Sequence, residues 1–416
     1  MGPVATHAPP RVVLMSSNGT GMGHLTRLLA YAQGLEGLDV RFLSMSTAVP
    51  VVGQLGHRYE YLPSRGSTGL RAATWRRLFL DRLVEYLRRT RPDVVVFDGT
   101  HPYAGMDLAR EAVPGARWVW SRRAMWRPDR NVDQLAKESW FDLVLEPGDL
   151  AGASDRGATV GRDARRVGPV TLVDTTDLQD RATARRELGL PADAPLALVS
   201  LGAGNINDTR GDLGAVVAGL SALGVGACVT QAAIAEQAGT SLDVHHVQDF
   251  PISRRFAAFD LAVSAAGYNS FHENLRLGLP TLFVPNTRTN LDDQETRVEH
   301  AVRAGWALGA TDLAAAPTQS LLADLLDRGP AMAATARAAD PGNGAPAAAD
   351  PAAGSTTGAG APAAAAGDPA KSVSTSSIPS AAARCASSAL VCGSASESTR
   401  KTFDVDFEAR RATSIP

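Results

Sequence analysis

Cysteine is scarce in this chain of 416 residues. The three that occur, Cys228, Cys385 and Cys392, have the spacing of neither a zinc ligand pair nor a paired redox thiol, which argues against a disulfide scaffold and a zinc site. Long apolar runs are missing as well: none reaches the roughly 18 residues of a membrane span. No basic residue precedes Arg11 to head a signal peptide, so a cytoplasmic protein is expected. An excess of either charge is also absent. The 41 Lys and Arg against 43 Asp and Glu leave a formal net charge of -2, which speaks against a strongly basic nucleic-acid binder.

What is present is apolar mass for more than one core, since 44% of the residues are hydrophobic and the length exceeds one typical domain. From Arg11 to about residue 338, short apolar runs alternate with helical patterns, the signature of parallel sheets wrapped by crossover helices. One series of buried strands falls at residues 12–15, 40–43, 94–97 and 118–120, and a second at 196–199, 261–263 and 281–284. The reading is an α/β protein of two doubly wound domains, 1–165 and 166–338, with 167–170 as a crossing strand or linker. From 339 to 416 Ala, Ser, Pro and Gly dominate, so this low-complexity tail cannot offset its ordering entropy and is expected to be disordered.

The first strand runs into Asn18-Gly19-Thr20-Gly21-Met22-Gly23-His24-Leu25 and then a helical pattern. Such a glycine-rich turn lets backbone approach a ligand and aims a helix N-terminus at negative charge. A dinucleotide site does not fit, because the third glycine of that motif falls on His24 and the second strand ends in Ser44-Met45-Ser46 without a ribose-binding acid. A P-loop fails for want of a Lys-Ser/Thr pair. His24 is the candidate general base, since imidazole titrates near neutrality. Asp98, ending the 94–97 run, is its candidate partner on the same sheet rim, or else a cap of the next turn. His101 is a weaker candidate nearby.

In the second domain, Gly202 and Gly204 with Asn205 repeat the turn and offer amides to a diphosphate. Gly267, Tyr268, Asn269 and Ser270 end another strand and open a helix, with Glu273 one turn inside to accept from ribose hydroxyls. Asp293 and Gln294 suit sugar hydroxyls, or Asp292 and Asp293 cap the following helix. Five of the six tryptophans lie in the first domain among arginines. Arg122, Arg123 and Trp126, with Gly21 and Gly23, are therefore read as acceptor-side residues, against the alternative of core tryptophans and solvated arginines.

The order of a Gly-His turn, a phosphate turn, Gly267-Tyr268-Asn269-Ser270-Phe271-His272-Glu273, Gly278-Leu279-Pro280 and Asp293-Gln294 resembles nucleotide-sugar glycosyltransferases of the GT-B fold. The donor signature is similar to that of UDP-glycosyltransferases. The first turn and Asp292-Asp293-Gln294-Glu295 look more like glycosyltransferase family 28, the peptidoglycan N-acetylglucosaminyltransferase group. The resemblance implies two Rossmann-like domains facing across a cleft, with phosphate at Asn269 and Ser270, ribose at Glu273, donor sugar at Asp293 and Gln294, and a His24–Asp98 base pair. Where the plant-type enzymes carry a histidine, Ala265 stands, and Pro346 and Pro351 would interrupt the family's closing helix.

The activity so implied is transfer of a hexose or N-acetylhexosamine from a UDP-sugar to a hydroxyl acceptor, inverting and without a metal or cofactor. The acceptor would be a lipid-linked or cell-envelope glycan met by peripheral contact at the inner face of the plasma membrane. Alternatives are a UDP-sugar 2-epimerase of the same fold and a non-catalytic nucleotide-sugar-binding protein.

Overall fold

Continuous apolar runs build the central strands, and helices between them carry the chain back across the two faces, so each ladder runs parallel. The computed structural model describes residues 8–17, 22–202, 210–230, 243–289, 291–314 and 316–350. Its first sheet contains β1 (Arg11–Ser16), β2 (Asp39–Ser44), β3 (Arg58–Tyr61), β4 (Val94–Asp98), β5 (Arg117–Ser121), β6 (Leu143–Pro147) and β7 (Arg165–Val167). Their spatial order is β3-β2-β1-β4-β5-β6-β7. The second holds β8 (Leu196–Ser200), β9 (Gly226–Thr230), β10 (His245–Val247), β11 (Leu261–Ala265), β12 (Thr281–Val284) and β13 (Leu308–Gly309) in the order β10-β9-β8-β11-β12-β13. Two doubly wound α/β units are therefore present.

Alternation along the first sheet splits its core in two. Val13, Met15, Val95, Phe97, Trp118 and Trp120 pack under the helix Ala72–Thr90, while Val12, Leu14, Phe42 and Val119 pack under the helix Gly23–Gln33. The second sheet is covered on both faces in the same way. Truncating one of the buried tryptophans to alanine would cost about 3–5 kcal/mol. In each sheet the order reverses once, between β1 and β4 and between β8 and β11. Loops diverge at such a point and leave a crevice beyond the carboxyl ends of the strands.

Two boundaries differ from the sequence reading. Residues 165–167 are the edge strand β7 of the first sheet rather than the start of the second domain. Residues 339–350, assigned above to the tail, return to the first domain. Gly344 N–H donates to the Pro169 carbonyl, and the Asn343 side chain brackets the backbone of Thr171 at both N–H and carbonyl. A Cβ on Gly344 would stand 2.1 Å from the Gly168 carbonyl oxygen, so only glycine fits this crossing. The short helix Ala345–Ala349 then packs on the Gly23–Gln33 helix. Pro346 is harmless because the first helical N–H groups have no intrahelical acceptor. Residues 351–416 lie outside the described residues.

Candidate functional site

The switch point of the first sheet sets the first cluster. His24 stands in the first turn of the Gly23–Gln33 helix after β1, and Asp98 is the last residue of β4, the parallel neighbour of β1. His24 Nδ1 lies 2.6 Å from Asp98 Oδ1. The aspartate side chain is 0% exposed and the imidazole 15%. Arg27 donates to both carboxylate oxygens, from Nε at 2.7 Å and Nη2 at 2.6 Å, and the Ser121 hydroxyl donates at 2.6 Å. Ser121 ends β5 in register with Asp98. Asp98 therefore gathers side chains from two neighbouring elements, the Gly23–Gln33 helix and β5, rather than capping the turn after it.

Burial alone would push the Asp98 carboxyl up. The Arg27 charge and the hydrogen bonds from His24 and Arg27 prevail, and hold it well below the usual carboxylate range. For His24 burial dominates: it lowers the pKa, the Asp98 hydrogen bond and charge raise it, and Arg27 and Arg123 lower it, with a net downward shift. At neutral pH the imidazole is uncharged. An ionised carboxylate only accepts, so Nδ1 carries the proton shared with Asp98 and Nε2 is the basic atom.

The second cluster starts at β11. Gly267 opens the helix Tyr268–Leu277 without a side-chain cap, which leaves first-turn N–H groups to meet solvent or an anion. This turn faces the first. Asn269 Nδ2 donates to the Gly23 carbonyl at 3.3 Å, and the Arg27 guanidinium lies 5.0 Å from the Tyr268 ring centroid. Asn269 Oδ1 is buried with no hydrogen-bond partner among the described residues. Ser270 is half-buried beside it. Gly202, at the end of β8, has φ +93°, a backbone that favours glycine. Gly204, Asn205 and Gly21 lie outside the described residues.

Glu273 is 9% exposed. Burial pushes its carboxyl up to about 7, against weaker downward pulls from the Ser253 hydroxyl and Arg276. Tyr268 is not free to bind a donor through its side chain: its hydroxyl donates to the Gly148 carbonyl at 2.8 Å and accepts from Val170 N–H at 3.0 Å. Its offer to a ligand is confined to the backbone. Asp293 caps the helix Gln294–Arg303, accepting from Thr296 N–H and hydroxyl, as the capping alternative had it. Gln294 is buried, and accepts from Asn286 N–H while donating to Asp292.

The acceptor-side reading needs correction. Trp126 is 2% exposed and packs edge-on against Trp120 in the core. Trp75, Trp118 and Trp120 are buried too. Arg122 is buried and paired with Glu138 and Glu146. Arg123 reaches across to Asp292 of the second domain at 2.9 Å. Trp126 and Arg122 are thus core residues rather than a surface, and Arg123 is a part-buried link between the domains beside the His24 cluster. Gly23 and His101 do border the rim: Gly23 begins the helix, and His101 is exposed on the loop after β4, 3.2 Å from the Thr100 hydroxyl.

Sequence reasoning missed Arg27, although its place three residues after His24 puts both on one helical face. It also missed a buried latch between the domains. Arg297 binds Asp149 of the first domain and Asp292 of its own, Arg127 pairs with Glu295, and Leu150 N–H donates to His272 Nε2. Met125 and Ala151 complete the joint against Ala266, Phe271 and Phe283. Partners 148 residues apart leave no local signal.

The family model described as the glycosyltransferase family 28 C-terminal domain matches residues 231–348. The UDP-N-acetylglucosamine–N-acetylmuramyl-(pentapeptide) pyrophosphoryl-undecaprenol N-acetylglucosamine transferase of Nocardioides sp. is 28% identical over 334 residues, which span 72% of this chain and 84% of that one. The protein of the same name from Clavibacter sepedonicus is 28% identical over 322 residues, 72% and 83% of the two chains. Among solved structures, a spinosyn forosaminyltransferase superposes with a TM-score of 0.59 at 17% identity, covering 79% of this chain and 94% of that one. Acinetobacter baumannii MurG gives 0.51 at 18%, covering 81% and 97%. The fold is GT-B. The second domain is similar to the family 28 C-terminal domain, and the chain as a whole resembles these glycosyltransferases.

Proposed function

We propose that the protein transfers an N-acetylhexosamine or hexose from a UDP-sugar to a hydroxyl acceptor, with inversion and without a metal ion. The observation that carries this reading is the 2.6 Å contact between His24 and Asp98 at the first switch point, opposite the Tyr268–Leu277 N-terminus. His24 Nε2 takes the acceptor proton as that oxygen attacks C1, the bond from C1 to the diphosphate breaks on the far side, and inversion follows. Asp98 holds the tautomer and shares the charge of the imidazolium. The uncapped helix start and the Gly202 turn meet the negative charge on the departing UDP. Glu273, one helical turn further in, is the ribose acceptor.

A lipid-linked acceptor is favoured by the names of the relatives, which specify pyrophosphoryl-undecaprenol. The tryptophan and arginine cluster no longer argues for it, being core and latch. Among the described residues no helix is long and apolar enough to cross a membrane. The reading includes peripheral contact with such an acceptor at the inner face of the membrane. The test combines thermal shift against UDP-, GDP- and dTDP-sugars with UDP release in the presence of a pyrophosphoryl-polyprenol acceptor. A selective shift with UDP-sugars is expected. His24→Ala should cut kcat by about 10²–10⁴-fold and leave the UDP-sugar shift in place. Wild-type turnover in that variant would refute the base assignment.

A further inference from the structure

Arg27 is fully committed within the site, and the transfer chemistry above gives it no task. It is 2% exposed, grips both oxygens of Asp98, and presses its guanidinium face on Tyr268 of the other domain. A buried ion pair is costly to desolvate and is weak evidence of a purely stabilising role. A fork with two N–H donors fixes the rotation of a carboxylate as a single ammonium does not. Tyr268 in turn begins the helix whose free N–H groups face the cleft, and its hydroxyl ties that helix to Gly148 and Val170.

We infer that Arg27 is a positioning residue for the proton transfer: it orients Asp98 toward His24 Nδ1 and, through Tyr268, couples that pair to the donor-side helix. This rests on the reading of His24 as the base. The groups facing the imidazole are Asp98 from β4, Arg27 on its own helix, Arg123 from the loop after β5 and His101 from the loop after β4, with Tyr268 beyond Arg27. Arg27 offsets the negative charge of Asp98, so the imidazole keeps a hydrogen bond without a net anion beside it. Removing the guanidinium releases the carboxylate from its fixed rotation and exposes His24 to an uncompensated charge.

The test titrates the His24 imidazole by NMR in the full-length wild type, Arg27→Met and Arg27→Lys, beside the pH dependence of UDP release from UDP-N-acetylglucosamine. In Arg27→Met the His24 titration should move up by about one pH unit. The kcat should fall about 10- to 100-fold, with the donor KM changing less than about threefold. Arg27→Lys should return the titration toward wild type while recovering only part of kcat, because one ammonium does not replace a fork. Should Arg27→Met fail to fold, Arg27→Gln keeps an N–H for Asp98, drops the charge, and is read in the same way. An unmoved His24 titration in the folded variant overturns the inference whatever the rate does. A moved titration with an unmoved pH–rate profile upholds the hold of Arg27 on the pair and removes His24 as the base.

Discussion

Asp98 and Glu273 are both buried carboxylates beside a strand-end turn, one in each domain, and their proton affinities move in opposite directions. Asp98 has a guanidinium on both oxygens and stays ionised far into acid. Glu273 feels only weaker pulls from the Ser253 hydroxyl and the Arg276 charge, too little to offset burial, and its pKa rises to about 7. The topology is the same on the two sides, since each lies at the point where strand order reverses. What differs is the counter-charge. The sheet decides where a ligand goes, and the cation beside each acid decides whether that acid works as a fixed charge or as a group that changes state near neutrality.

Breaking the Asp98 side should have the largest effect. Asp98→Asn strands the buried Arg27 charge and is expected to lower stability by about 3–5 kcal/mol, measured by urea unfolding at pH 7. Because its folded pKa is depressed, this stability is present above the ordinary carboxylate value of 3.8 and fades as pH falls toward the folded value. A loss under about 1 kcal/mol would erase the contrast with Glu273. The sign reverses in Glu273→Gln. With a folded pKa raised from 4.5 to about 7, the wild type has its full contribution below the lower value and loses it as pH rises through the upper, by up to about 3 kcal/mol. The glutamine variant should not show that decline. If Glu273 accepts from a ribose, wild-type UDP affinity should strengthen over the same pH interval and the variant's should not. Parallel stability curves for the two proteins would mean that Glu273 keeps its charge when buried.

The smallest effect concerns Asp293, whose capping bonds to Thr296 are worth about 1 kcal/mol. Asp293→Ala should cost that much in thermal unfolding. A rise of more than about tenfold in donor KM would add the sugar contact that the resemblance implies, and an unchanged KM would reduce the residue to its cap.

The central strands were legible because β1, β4, β8 and β11 are continuous apolar runs ending in a turn. The edges were not. β3 reads Arg-Tyr-Glu-Tyr, β10 His-His-Val, and β7 Arg-Arg-Val, since an edge strand exposed to water needs no apolar run. His24 and Asp98 announced themselves by standing where a strand meets a turn. Arg27, Arg122 and Arg297 did not, because an arginine buried against distant acids is spelled like one in solvent. The same ambiguity turned Trp126 into an expected surface residue, although an aromatic beside arginines fits a core wall with paired charges equally well.

The chain passes between the lobes twice, at 168–171 and again at 341–345, and the two passes lie side by side, pinned by Asn343 and Gly344. The lobes are thus tied by two lengths of main chain at one seam and by the Arg297 and Arg123 ion pairs at another, so a break in either chain crossing would leave the other attachments in place.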